Sequence, residues 1–262
     1  MDMLSILILL GFGLGMVALF DRSDSDEAEE APEGQTFRGS DADDAILGTA
    51  GDDRIFGNAG DDLLLGGPGD DSIYGGEGDD SIFAGPGNDL LRGGAGDDFL
   101  YSFAGQDTLF GDTGNDFLIA LDGPDQPGQP DQLFGGFGND TLVGDDGDTL
   151  TGGPGENVFS VVAYDGSEDP VIITDFDPAR DELEIVVDSD GFPPVDVDDL
   201  VFVVDGQQQQ VRVQLLDTTL AILENLTQTP TAVSLFREDA TGLVALYREL
   251  EASETAFAAS QS

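Results

Sequence analysis

From Gly39 to Ser160 one large apolar residue returns every ninth position, and six residues rich in glycine and aspartate separate each apolar triplet from the next. The units read GSDADDAIL (from 39), GTAGDDRIF (48), GNAGDDLLL (57), GGPGDDSIY (66), GGEGDDSIF (75), AGPGNDLLR (84), GGAGDDFLY (93), SFAGQDTLF (102) and GDTGNDFLI (111). A unit starting at Ala120 carries about six extra residues and closes on PDQLF; GGFGNDTLV (135), the one-short GDDGDTLT (144) and a degenerate GGPGENVFS (152) bring the count to thirteen. The eighth position holds Ile46, Ile55, Leu64, Ile73, Ile82, Leu91, Leu100, Leu109, Leu118, Leu133, Leu142, Leu150 and Phe159. Strand side chains alternate between two faces, so the triplet predicts a short strand with the eighth residue inward and its flanks outward. Glycine supplies the positive φ and close backbone approach of a tight loop. Pro68, Pro86 and Pro154, at position three, sit where a missing N–H is tolerated. A fixed period of this length predicts stacked units.

The pattern is different at both ends. Residues 3–20 (MLSILILLGFGLGMVALF) are uncharged and largely apolar, and as a helix they would span about 27 Å, enough for a bilayer core. With Asp2 in place of a basic n-region and no small-x-small cleavage site, an uncleaved anchor fits better than a cleaved signal segment across residues 1–20. Residues 21–38 read as a flexible acidic linker. After Ser160, VIITDF (171–176), ELEIVV (182–187), LVFVV (200–204), VRVQLL (211–216) and LAILENL (220–226) predict strands, giving a β-rich region over 161–236. Within 237–262, ATGLVALYRELEAS predicts a short amphipathic helix before a small-residue tail.

Charge narrows the functions. Against 55 acidic residues stand eight basic ones, all Arg, for a net charge of −47. Such an excess repels nucleic acid and destabilises a compact state unless cations are bound. Without His, Cys or Lys the chain cannot build Ser-His-Asp, Cys-His, His-ligated zinc, Schiff-base or P-loop chemistry. Aspartate is too abundant for one carboxylate pair to stand out as a glycosidase site, so no enzyme is expected.

The units resemble the RTX, or haemolysin-type, calcium-binding repeat, G-G-x-G-x-D-x-U-x. The resemblance covers residues 39–160 and implies an all-β fold, a right-handed parallel β-roll in which two nonapeptides complete a turn, with a C-terminal antiparallel β cap. ITDFDPARDELEI resembles the segment that follows such arrays. The resemblance implies calcium between loops two repeats apart, held along one edge by Asp44, Asp62, Asp80, Asp98, Asp116 and Asp140. The other edge would use Asp53, Asp71, Asp89, Asp107, Asp131 and Asp148. Backbone carbonyls would complete the oxygen shells, from Thr49, Gly51, Asn58, Gly60, Gly66, Gly67, Pro68, Gly69, Gly75, Gly76, Glu77 and Gly78, and from Gly85, Gly87, Gly93, Gly94, Ala95 and Gly96. Adjacent loop pairs allow at most about eleven ions, with the insertion at 120–134, the shortened unit, Asn157, Ser102 and Phe103 as weak points.

A core one residue wide, under stacked acidic loops, is expected to fold only with calcium. Position-five acids such as Asp52 and Asp61 read as solvent-facing charge, and Asp175, Asp177 and Asp181 as turn residues around Pro178 rather than as a further ion site. Position nine predicts two exposed ladders, Phe56, Tyr74, Arg92, Phe110, Phe134 and Leu47, Leu65, Phe83, Tyr101, Ile119, which stabilise the sheets or mark a partner surface. The whole reads as a non-catalytic calcium-binding protein of the cell surface or medium, with the secretion and folding module of a type I export substrate as the alternative.

Overall fold

The computed structural model describes residues 34–122, 129–163, 169–187, 200–215, 218–226, 230 and 233–237. The apolar run at 3–20 and the expected helix after 237 lie outside them. Every regular element among the described residues is a strand, and none is a helix long and apolar enough to cross a membrane.

Successive apolar triplets fall alternately on two sheets. The first sheet takes β1 (Thr36–Arg38), β3 (Arg54–Ala59), β5 (Ser72–Glu77), β7 (Leu90–Ala95), β9 (Thr108–Thr113), β11 (Gln132–Phe137), β13 (Thr149–Thr151) and β15 (Val171–Ile173). The second takes β2 (Ala45–Leu47), β4 (Leu63–Leu65), β6 (Ser81–Phe83), β8 (Phe99–Ser102), β10 (Phe117–Ala120), β12 (Thr141–Gly144), β14 (Val158–Ala163), β16 (Glu182–Val187) and β20 (Val233–Arg237). All of these pair in parallel, two units apart along the repeats and at longer intervals beyond them. The result is a parallel β-roll.

Position eight lines up in register, Ile55 with Ile73, Leu91 and Leu109 on one sheet and Leu64 with Ile82, Leu100 and Leu118 on the other. These side chains are fully buried and form one continuous core, as the alternation requires.

Three features differ from the sequence reading. Thr36–Arg38, placed in the linker, is the first strand: Phe37 pairs with Ile55 and packs on the core. Parallel coiling also continues past residue 160, through β14–β16–β20 and β13–β15, because Ile173 and Leu183 keep an inward apolar residue after the glycine loops have ended. Among the described residues antiparallel pairing is confined to β17 (Leu200–Asp205), β18 (Gln210–Leu215) and β19 (Thr218–Glu224), the last of which docks in parallel on β15.

The third difference lies outside the core. Along the first sheet, position nine forms a half-exposed ladder in which Phe56 stacks on Tyr74 (centroids 5.0 Å, planes 7° apart) and Phe110 on Phe134 (4.9 Å, 9°). Arg38 lies 4.2 Å from the centroid of Phe56. Cross-strand pairs of this kind stabilise a sheet. On the second sheet Leu47 is 64% exposed but Ile119 only 2%, so the expected exposed ladder stops before Ile119. There Ile119 joins Val143, Val162 and Val186 in a second, buried apolar cluster.

Candidate metal centre

Loop geometry follows from the glycines. Gly67, Gly76 and Gly85, at position two, have φ of 105°, 134° and 109°, a region closed to most side chains. A Cβ on Gly67 would lie 2.2 Å from the Thr49 carbonyl oxygen, and one on Gly85 2.1 Å from that of Gly67. Loops two units apart therefore stack backbone on backbone. In two of the loops where position two is not glycine, Asn58 (φ 85°) and Asp112 (φ 76°) stand in, both types that tolerate the left-handed region.

This stacking aligns the position-six aspartates in two columns. Each Oδ1 accepts the N–H of the position-six residue one coil earlier. On one edge Asp71 accepts from Asp53 (2.7 Å), Asp89 from Asp71 (2.7 Å), Asp107 from Asp89 (2.7 Å), Asp131 from Asp107 (2.6 Å) and Asp148 from Asp131 (2.9 Å). On the other, Asp62 accepts from Asp44 (2.7 Å), Asp80 from Asp62 (2.9 Å), Asp98 from Asp80 (2.8 Å), Asp116 from Asp98 (2.9 Å) and Asp140 from Asp116 (2.9 Å).

The second carboxylate oxygen has no such use. Oδ2 of Asp62, Asp71, Asp80, Asp89, Asp98, Asp116 and Asp140 is buried without a hydrogen-bond partner, while the Asp107 carboxylate has the Ser102 hydroxyl beside it. In the loops that begin with glycine Oδ2 sits against that residue: a Cβ on Gly75 would meet Asp80 Oδ2 at 2.1 Å, and one on Gly93 would meet Asp98 Oδ2 at 2.2 Å. Carbonyl oxygens crowd the same loops. Those of Asn58, Gly60, Gly69, Gly76 and Gly78 each lie within 2.3 Å of where the next loop's glycine would carry a Cβ. The position-three carbonyls of Glu77 and Ala95 already accept the N–H of Gly60 (2.8 Å) and Gly78 (2.7 Å).

Burial is the main cause that raises these carboxyls, and neighbouring carboxylates add to it against the lowering effect of the backbone N–H. Asp71 is pushed up to about 6, Asp80 and Asp116 to about 7, Asp89 and Asp98 to about 8. Asp107 rises to about 6, Asp148 to about 8 and Asp131 to about 9. At the N-terminal end the balance reverses. Ser40 lowers Asp44 through its N–H and hydroxyl, and at Asp53 burial is outweighed by donors from Gln35 and Thr49.

Columns of buried, unpaired carboxylate oxygens beside carbonyl oxygens fit a hard cation with an all-oxygen shell. Among the described residues no three acidic side chains converge on one point, so loop carbonyls would have to share the coordination. A family model agrees with this chemistry: the RTX calcium-binding nonapeptide repeat matches four stretches, residues 38–73, 56–91, 83–118 and 128–159. The array belongs to the RTX calcium-binding repeats. RTX repeats bind calcium, and their usual place is outside the cell.

No curated protein matches the chain. Solved structures that do include the AlgE6R3 subunit of the Azotobacter vinelandii mannuronan C5-epimerase, at 18% identity and TM-score 0.17, covering 71% of this chain and 72% of that one. The extracellular lipase LipA of Serratia marcescens is matched at 20% identity and TM-score 0.24, over 78% of this chain and 40% of the lipase.

The RTX ladder is longer than its consensus. Gln35 donates its N–H to Asp53 Oδ1 at 2.6 Å, one coil before the first aspartate. Stepping back nine from Ile46 lands on Phe37, a signal that was available in the sequence. At the far end Asn157 accepts from Asp140 (3.0 Å) and Asp181 from Asn157 (2.9 Å), both nearly fully buried. Asp181 is thus a ladder residue, not only a turn residue, and Asp181-Glu182-Leu183 keeps the D-x-U spacing. Asp177 does hold the turn, accepting from Ala179 N and Arg180 Nε, while Asp175 accepts from Gly152 and Gly153.

Beside the insertion, Asp122 and Asp145 make a short third column. Asp122 accepts from Ala104 (3.0 Å) and Gln129 (2.7 Å), and Asp145 accepts from Asp122 (3.1 Å). The position-five acids are more than solvated charge. They form an exposed ladder of the opposite sense, Asp52 accepting from Asp70 (2.9 Å), Asp61 from Asp79 (2.9 Å) and Asp79 from Asp97 (2.8 Å).

Proposed function

We propose that this chain is a non-catalytic calcium-binding protein of the cell surface or medium, whose RTX array folds as its loops take up calcium. The supporting observation is the row of buried Oδ2 atoms without partners, from Asp62 to Asp140. A buried acceptor left unmade costs free energy, and a buried unpaired carboxylate costs more. Bound calcium would supply positive charge and oxygen coordination at these atoms. The position-six aspartates and the loop carbonyls would hold it, and binding energy becomes folding energy. The extracellular setting suits this reading, because extracellular modules bind calcium at about 10⁻⁴–10⁻³ M.

Circular dichroism of the full chain during calcium titration, followed by chelator, tests the coupling. The expected result is a reversible gain of β signal. A spectrum indifferent to both additions overturns it.

A further inference from the structure

On the outer face of the second sheet, Ile119, Val143, Ser160, Val162 and Val186 occupy outward positions. Their neighbours in the strands, Leu118, Leu142, Phe159, Val161 and Ile185, belong to the inner core. The five outward residues are nevertheless 0–6% exposed. Four of them form an apolar cluster whose described neighbours, Phe99, Tyr101, Phe117 and Leu121, flank it from the N-terminal side. Among the described residues no element forms a third layer over this face. An outward apolar band this deeply buried requires a cover.

We infer that residues 240–253 are that cover, docking as an amphipathic helix on the outer face of β10, β12, β14 and β16. The path of the chain favours this segment. The second sheet ends on β20, which pairs with β16 and places Phe236 beside Val186, so the chain leaves Arg237 at the edge of the buried band. Composition favours it as well. The nearby stretches 123–128 (GPDQPG), 164–168 (YDGSE) and 188–199 (DSDGFPPVDVDD) offer little apolar surface in a regular spacing. In contrast, Leu243, Leu246, Tyr247 and Leu250 fall at i, i+3, i+4 and i+7 on one helical face. The length matches too: fourteen residues make a helix of about 21 Å, and the four spacings from β10 to β20 cover about 19 Å. The apolar run at 3–20 is the other long candidate, but the chain enters the roll at β1, the first strand of the opposite sheet. This inference rests on the roll and not on the identity of its cation.

Hydrogen–deuterium exchange on the full chain in saturating calcium tests it. Amides of 243–250 should exchange at least about tenfold more slowly than in the unfolded chain. Leu246→Asp, which alters only the segment, should abolish that protection and leave the amides of Asp89 and Asp98 protected. Val162→Asp, which alters only the sheet, should release 243–250 in the same way. Free exchange of 243–250 in the parent chain overturns the proposal, as does protection that survives both substitutions. Protection that appears only at concentrations where light scattering finds a dimer also overturns it, in favour of a second copy as the cover. Release of the band by deletion of residues 1–20, with 243–250 unaffected, assigns it to the N-terminal run instead and overturns the proposal as well.

Discussion

Two loops share the tetrapeptide GGPG, keep an acid at position five and differ in kind at position six. In GGPGDD (66–71) Asp71 Oδ2 lies against Gly66, buried and without a partner. In GGPGEN (152–157) Asn157 Nδ2 takes the matching place against Gly152 and donates to the Gly153 carbonyl at 3.1 Å. Arg180 Nη1 then donates to the Gly155 carbonyl at 2.8 Å. The second loop meets its oxygens with donors of its own; the first presents oxygen to oxygen. One backbone is thus closed in two ways, by an external cation or by an amide and a guanidinium. The opposite column ends in a third way, with buried Val171 in the position-six place.

The largest effect expected from this difference is regional. Removing calcium should unfold the coils from 39 to about 151 while those after 152 keep their order, because only the former depend on added charge. In hydrogen exchange of the full chain under chelator, the amides of Asp71 and Asp89 should lose protection and those of Asn157 and Glu182 retain it. Uniform loss along both regions would erase the distinction.

Acid should narrow the gap. The carboxyls of Asp71, Asp80, Asp89, Asp98, Asp107, Asp116, Asp131 and Asp148 are raised from 3.8 to between about 6 and about 9, and that of Asp140 is raised as well, so the metal-free fold holds protons that the unfolded chain releases. Its stability is then fully present below about pH 4 and is lost as pH rises through 6 to 9. Calcium affinity runs the other way, since the carboxyls must ionise to ligate. Circular dichroism without calcium should therefore show more β signal at pH 5 than at pH 8. A metal-free signal that rises with pH would contradict this assignment of charge.

How far the sequence revealed these regions depends on what marks them. The inward column from Ile55 to Phe159 repeats often enough that spacing alone places it, whereas the sorting of the aspartates into two columns was what the resemblance to the RTX repeat implied. Phe37, Ile173 and Leu183 were harder to see as coil residues because the loops before them have lost the double glycine, although backbone pairing needs only the apolar triplet. Asp122 escaped notice because the insertion breaks the count of nine, and its role depends on which N–H groups the displaced chain brings near. The burial of Ile119 and Val143 is set by what lies over the sheet, which no local spacing encodes.

Exchanging the two kinds of position six should give a smaller and reciprocal effect. In Asp98→Asn the amide can donate to the Gly94 carbonyl as Asn157 does to that of Gly153. The metal-free fold should gain about 1 kcal/mol, the net value of one such hydrogen bond. Calcium uptake should fall by one or two ions, because one carboxylate serves the loops on either side. Asn157→Asp should do the reverse, provided Arg180 is also replaced so that its guanidinium no longer fills the loop. Isothermal titration gives the stoichiometry and urea denaturation the stability. Unchanged stoichiometry in Asp98→Asn would remove Asp98 from the ligands.

The smallest effect belongs to position five, where the structure already contains the experiment. Asn88 Oδ1 accepts the Gln106 N–H at 2.9 Å just as Asp61 accepts that of Asp79, and Asn88 Nδ2 adds a bond to Asp70 Oδ1 at 3.1 Å. An amide therefore keeps this outer ladder intact. Asp61→Asn should shift the calcium midpoint by less than about twofold, since it removes only an exposed, solvent-screened charge. Asp61→Ala, which leaves the Asp79 N–H without its acceptor, should weaken folding more than Asp61→Asn does. If Asp61→Asn instead lost ions as Asp98→Asn is expected to, the outer acids would be ligands and the division of labour between the two ladders would fall.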